Sequence, residues 1–184
     1  MHFKISSLLA IVALATSTHS YSNPTPEEPP APGLTFLYTS YADCLNAIYH
    51  TQGPRGIRTT IPIVGGNFTG PRLSGKILDV GADWGVTDVQ TGIFSADTRY
   101  NLQTHDGANL FLQTSGPSQP TGGLHLRVII ETGDKDYYWL NNVIAFGILS
   151  TVATSATGFT LRIDVWHMST DYNATTFING TTYP

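Results

Sequence analysis

Polar and apolar residues alternate with a period of two along much of this chain. The clearest stretch is 92–104, where Ile93, Ser95, Asp97, Arg99, Asn101 and Gln103 share one face. Phe94, Ala96, Thr98, Tyr100, Leu102 and Thr104 share the other. Successive side chains of a β-strand point to opposite faces, so this alternation predicts a strand. The Asp106-Gly107 pair that follows suits a hairpin turn, and 108–114 is predicted to return beside it. Further strands are predicted over 34–41, 57–64, 67–78, 123–132, 139–149 and 159–167. The second of these ends at Gly65-Gly66, whose freedom at positive φ suits a sharp turn or a bulge. The third is interrupted by Gly70-Pro71. No segment sustains a helical period. About eight strands of this length close into a barrel or pack as a sandwich, and an all-β, single-domain fold is predicted.

The two ends read differently. Residues 1–20 place Lys4 ahead of an apolar run from Ile5 to Ala15, then the small and polar Thr16-Ser17-Thr18-His19-Ser20. That order predicts a secretory signal peptide, and the apolar run is shorter than the roughly 20 residues a membrane-spanning helix needs. Residues 21–33 hold five prolines and predict an extended leader. The folded domain is placed at 34–168, with a Ser/Thr/Asn-rich tail at 169–184. Three Asn-x-Thr acceptors, at Asn67, Asn173 and Asn179, fit a secreted glycoprotein.

Composition narrows the function. Charged residues make up 12% of the chain, and the formal charge of −4 becomes −5 once Lys4 leaves with the signal. No Lys/Arg run remains, so nucleic acid is not an expected partner. Cys44 is the single cysteine; it forms no intramolecular disulfide and reads as a buried structural thiol. The histidines lack metal-ligand spacing, and no phosphate-cradling loop or hydrolase elbow is present. No metal and no cofactor are expected.

Four blocks in order resemble a known family. They are Ile63-Val64-Gly65-Gly66-Asn67-Phe68-Thr69-Gly70-Pro71-Arg72-Leu73-Ser74-Gly75-Lys76-Ile77-Leu78 with Gly81-Ala82-Asp83-Trp84, then Asp97-Thr98-Arg99-Tyr100, Thr104-His105-Asp106-Gly107-Ala108, and Tyr138-Trp139-Leu140-Asn141. Over 34–168 the chain is similar to domain-of-unknown-function family 3237, also called uncharacterised protein family 0311. The resemblance implies an antiparallel β-barrel of about eight or more strands and little about activity. The chain departs from the family at Val80, where a glycine is common, and at Asn67.

The same blocks suggest a site. If the Asp97/Arg99 face lines the interior, it carries a carboxylate and a guanidinium into a low-dielectric space, a pair suited to anchoring an anion or moving a proton. The other reading makes them a structural pair on an outer face. Asp83, after the close-packing Gly81-Ala82, joins them as a third catalytic candidate. Trp84, Tyr100, Asp106, Trp139 and Asn141 are candidate ligand contacts. Trp139 and Asn141 share one side of their predicted strand, while Asp106 also reads as a turn residue. The expected function is binding of a small organic molecule, with cofactor-free proton transfer of the isomerase, dehydratase or cyclase kind. Non-catalytic ligand binding and a surface-associated structural role are the alternatives.

Overall fold

The computed structural model describes residues 31–169; the expected signal peptide, most of the proline-rich leader, the tail and acceptors Asn173 and Asn179 lie outside them. Ten strands occupy the described residues: β1 (Gly33–Leu45), β2 (Tyr49–Gly53), β3 (Gly56–Thr69), β4 (Ser74–Asp83), β5 (Val86–Thr87), β6 (Phe94–Thr104), β7 (Asn109–Pro117), β8 (Leu124–Glu131), β9 (Ala145–Thr154) and β10 (Gly158–Ser169). Every pairing is antiparallel. The hydrogen-bonded order is β1-β10-β9-β8-β7-β6-β4-β3, and a β1–β3 pairing closes the circuit into an eight-stranded barrel. Where β1 meets β3, closure leaves the barrel strands without a free edge. Strand β2 folds out as a hairpin on β3, and β5 continues the line of β4 between β3 and β6.

Alternation decides what is inside. On β6, Ala96, Thr98, Tyr100, Leu102 and Thr104 are buried, and the residues between them are not. Leu102, Leu110 and Leu112 have no exposed surface, and each such side chain contributes about 1.5–3 kcal/mol by leaving water. Among the described residues, no helix is long and apolar enough to cross a membrane.

Gly65-Gly66 proves to be a bulge within β3. The strand runs through both residues, and the registers with β1 and β4 slip beside them. A Cβ on Gly66 would lie 2.0 Å from the Tyr41 carbonyl oxygen, so only glycine lets β1 pass this close. Asp106 sits in the connection between β6 and β7, where Gly107 adopts φ +95 and its N–H donates to the Thr104 carbonyl at 3.0 Å.

Two predicted strands are corrected. The 67–78 strand divides, with Asn67–Thr69 closing β3 and Ser74 opening β4 across the turn at 70–73. The 139–149 strand begins only at Ala145, and Tyr138–Asn142 is a single 3-10 turn. It caps the barrel end where β8 finishes and β9 starts, burying Trp139 and Leu140. The opposite end, where β4 finishes at Asp83, is the mouth.

Candidate active site in the barrel interior

Inside the mouth is a cavity of about 40 Å³. Its walls are almost wholly apolar, with Ile61 and Ile63 from β3, Leu126 from β8 and Phe159 and Leu161 from β10. Five polar or ionisable side chains break that surface: Asp83 from β4, Thr98 and Tyr100 from β6, Thr114 from β7 and Cys44 from β1. Cys44 and Phe159 also line a shallower rim pocket of about 270 Å³.

Asp83 is the carboxylate of this cavity. Its Oδ1 accepts the Asp97 N–H at 2.8 Å, and the Thr98 hydroxyl and Gly85 N–H also bond to it. Burial pushes its carboxyl above the ordinary value of 3.8, outweighing those hydrogen bonds, and the charge of Asp97 pushes in the same direction as burial. A carboxyl held this way keeps its proton to higher pH than a surface carboxyl does, as a proton donor requires. Burial also pushes the Cys44 thiol up to about 12, with Asp83 and Asp43 adding to the effect, so the thiol stays protonated and is a poor nucleophile. The Tyr100 phenol is likewise raised, by burial first and Cys44 second.

Asp97 and Arg99 do not enter the cavity, a correction to the interior reading. They lie on the outer face of β6, opposite the buried Thr98 and Tyr100. There Arg99 Nη1 reaches Asp97 Oδ1 at 2.8 Å and Arg58 Nη1 reaches Asp97 Oδ2 at 3.1 Å. The three are half-exposed, where ion pairs contribute little individually. Their geometric effect is larger. Arg58 Nη1 also donates to the Trp84 carbonyl at 2.5 Å, and Trp84 N–H donates to the Asp97 carbonyl at 3.0 Å. The cluster thus braces the peptide whose N–H holds Asp83. Trp84 itself is 41% exposed and does not line the cavity.

The remaining candidates gather at the capped end. Trp139 is buried beneath Arg72, whose guanidinium carbon stands 3.8 Å from the ring centroid, a cation–π contact. Asn141 does not share a strand face with Trp139. Its Nδ2 donates to the Thr132 and Tyr138 carbonyls at 2.9 and 2.8 Å, and its Oδ1 accepts the Thr132 N–H at 2.9 Å, which makes it a latch for the cap. Asp106 accepts hydrogen bonds from Thr104 and, at 3.0 Å, from Tyr137; the Thr104 bond is the main cause holding it below the ordinary carboxylate value. Asn67 projects outward from β3 and is exposed. Among the described residues no three His, Cys, Asp or Glu side chains group as metal ligands.

Thr98 and Cys44 were not singled out by sequence as site residues. The alternation that puts Tyr100 inside puts Thr98 there too, so the signal existed once the inner face was known.

Comparison with known proteins agrees with this architecture. The chain is 31% identical over 148 residues to the hydroalkoxylation enzyme phnH of Penicillium herquei, covering 78% of this chain and 88% of that one. It is 28% identical over 109 residues to a UPF0311 protein of Rhodopseudomonas palustris, covering 50% and 71%. A beta-barrel like protein of Acinetobacter baumannii, solved by crystallography, superposes with a TM-score of 0.66 at 31% identity, covering 77% of this chain and 99% of that one. Residues 32–168 match the family described as protein of unknown function DUF3237, and the chain belongs to that family.

Proposed function

We propose that this protein is a cofactor-free acid–base catalyst that adds a hydroxyl O–H across a carbon–carbon double bond within one organic molecule. The observation that carries the reading is Asp83: a carboxyl with raised proton affinity, set in an apolar cavity. The kinship with a protein named as a hydroalkoxylation enzyme supports the reaction class.

The chemistry balances without a co-reactant. Protonated Asp83 gives its proton to one alkene carbon as the substrate's hydroxyl oxygen bonds to the other. The hydroxyl proton leaves and restores the acid, so the product is an isomer of the substrate. Burial has two roles here: it brings the carboxyl toward the pH at which it works, and the aliphatic walls exclude water that would compete for the developing cation. A cavity of about 40 Å³ admits about three water-sized groups. Only the reacting end of the substrate enters it, and the body rests in the rim pocket beside Cys44 and Phe159.

The test is incubation with phenols carrying an alkenyl side chain in deuterated water. Wild type is expected to form a cyclic ether bearing one deuterium on carbon. Asp83→Asn, shown folded by circular dichroism, is expected to lose turnover by about 10²–10⁴-fold; full turnover by that variant would remove Asp83 from the mechanism.

Secretion is a companion proposal, supported by the charge, apolar and small-residue order of residues 1–20 and by the outward Asn67 acceptor. Recovery of the protein from the medium of its own host, with a mass that falls on glycosidase treatment, is the expected result; retention inside the cell would overturn it.

A further inference from the structure

The inward face of β1 continues past the cavity. Cys44 and Ala42 line it, and Ser40 and Tyr38 lie on the same buried face nearer the capped end, each 1% exposed. Among the described residues, Tyr38 Oη and Ser40 Oγ are the two buried side-chain polar atoms without a hydrogen-bond partner. Their neighbourhood is otherwise well satisfied: outward Thr39 bonds to Asp164, and buried Thr35 and Ser169 have partners.

An unpaired buried hydroxyl costs stability, and here the fold does not need it. Tyr38 packs edge-on against Phe68 with ring centroids 5.7 Å apart, a contact phenylalanine would keep. A hydrogen on Ser40 in place of its hydroxyl would likewise keep the strand. Ser40 stands across the β1–β10 pairing from Ile163, a cavity wall, and Tyr38 is the next inward residue of β1 toward the capped end, so the two hydroxyls lie just beyond the cavity. Burial, the larger cause, raises the Tyr38 phenol, so it remains a neutral O–H group able to donate.

We propose that Tyr38 and Ser40 form the floor of the barrel's binding site and receive a carbonyl oxygen of an organic ligand that enters past Asp83. A carbonyl has two lone pairs and can accept from both hydroxyls, and the aliphatic walls accept the flanking carbons. The inference deepens the proposed reaction, on which it rests for the identity of the site. It adds a substrate requirement: an oxygen acceptor on the end that leads into the barrel.

Cyclopentanone and methylenecyclopentane make the test, because they differ in one group, C=O against C=CH₂. Binding is read by titrating the methyl resonances of Ile61 and Ile63 in the full-length protein. Wild type is expected to bind the ketone about tenfold more tightly than the alkene, the equivalent of one to two hydrogen bonds. Tyr38→Phe and Ser40→Ala are each expected to lose most of that preference, while the melting temperature of Tyr38→Phe rises by a few degrees. A residue that lowers the stability of the empty fold yet improves binding is the signature of a ligand subsite.

A wild-type preference near one, or variants that are more stable but keep the preference unchanged, would mean that the hydroxyls hold internal water only, and would overturn the proposal. Asp83→Asn separates this subsite from the reaction. If that variant keeps both the ketone preference and its turnover, the reaction assignment fails and the subsite stands. If turnover falls with Asp83→Asn but Tyr38→Phe leaves the ketone preference intact, the subsite fails and the reaction stands.

Discussion

Replacing Asn141 by alanine removes three hydrogen bonds at once, to the Thr132 carbonyl, the Tyr138 carbonyl and the Thr132 N–H, all between 2.8 and 2.9 Å. Together they tie the 3-10 turn to the end of β8, and that turn sets Trp139 and Leu140 into the core. Each bond contributes about 0.5–1.5 kcal/mol net, and these lie on an exposed stretch where water can replace part of the loss. The sum is about 1.5–3 kcal/mol. For a domain of this size 1 kcal/mol corresponds to about 3–5 °C, so scanning calorimetry is expected to show a melting temperature lower by about 5–15 °C. Binding of an alkenyl phenol at the mouth, measured well below the transition, is expected to be unchanged, because the latch sits at the other end of the barrel. A variant that melts with wild type would refute the latch. Lost binding with unaltered stability would restore Asn141 as the ligand contact its sequence position suggested.

Asp83→Asn carries a second expectation, in pH. Burial raises the carboxyl above 3.8, so its ionised form is penalised in the fold; that penalty is absent below 3.8 and complete above the folded value. Relative to wild type, the variant should therefore gain stability as pH rises from strongly acid toward neutral, as read by urea titrations at a series of pH values, and a constant difference would contradict the burial argument. Arg58→Met should loosen Trp84 and the Asp97 peptide, giving faster hydrogen exchange at the Asp97 amide and weaker turnover, with a stability loss below about 1 kcal/mol because the ion pairs are half-exposed; Arg58→Lys should restore part of the protection, and unchanged exchange in Arg58→Met would show that the brace is idle. Gly66→Ala should cost about 2–4 kcal/mol, since φ +127 strains any side chain and the new Cβ meets the Tyr41 carbonyl. Gly65→Ala, with open space around its Cβ, should cost less in the same denaturation assay, and equal losses would remove the close approach as the cause.

The strand pattern of 92–104, the turn at Asp106-Gly107 and the bulge at Gly65-Gly66 were legible in the residues, because each depends on neighbours along the chain. Alternation states which side chains travel together: Asp97 with Arg99, and Thr98 with Tyr100. It is silent on which set faces inward. That was decided by the pairing of β1 with β3, which closes the sheet and encloses the Thr98/Tyr100 face. Charge alone favours the same result, since an interior Asp97 and Arg99 would both need desolvation. The Trp139–Asn141 stretch misled for a related reason. Apolar and polar residues two apart fit a strand, but here Trp139 is buried beneath Arg72 from the turn before β4, and Asn141 is spent on the end of β8. Asp83 shows the division most clearly. Its carboxyl group and its place after Gly81-Ala82 are written in the chain, whereas its raised proton affinity comes from walls contributed by strands distant in sequence, and only the closed barrel brings those walls around it.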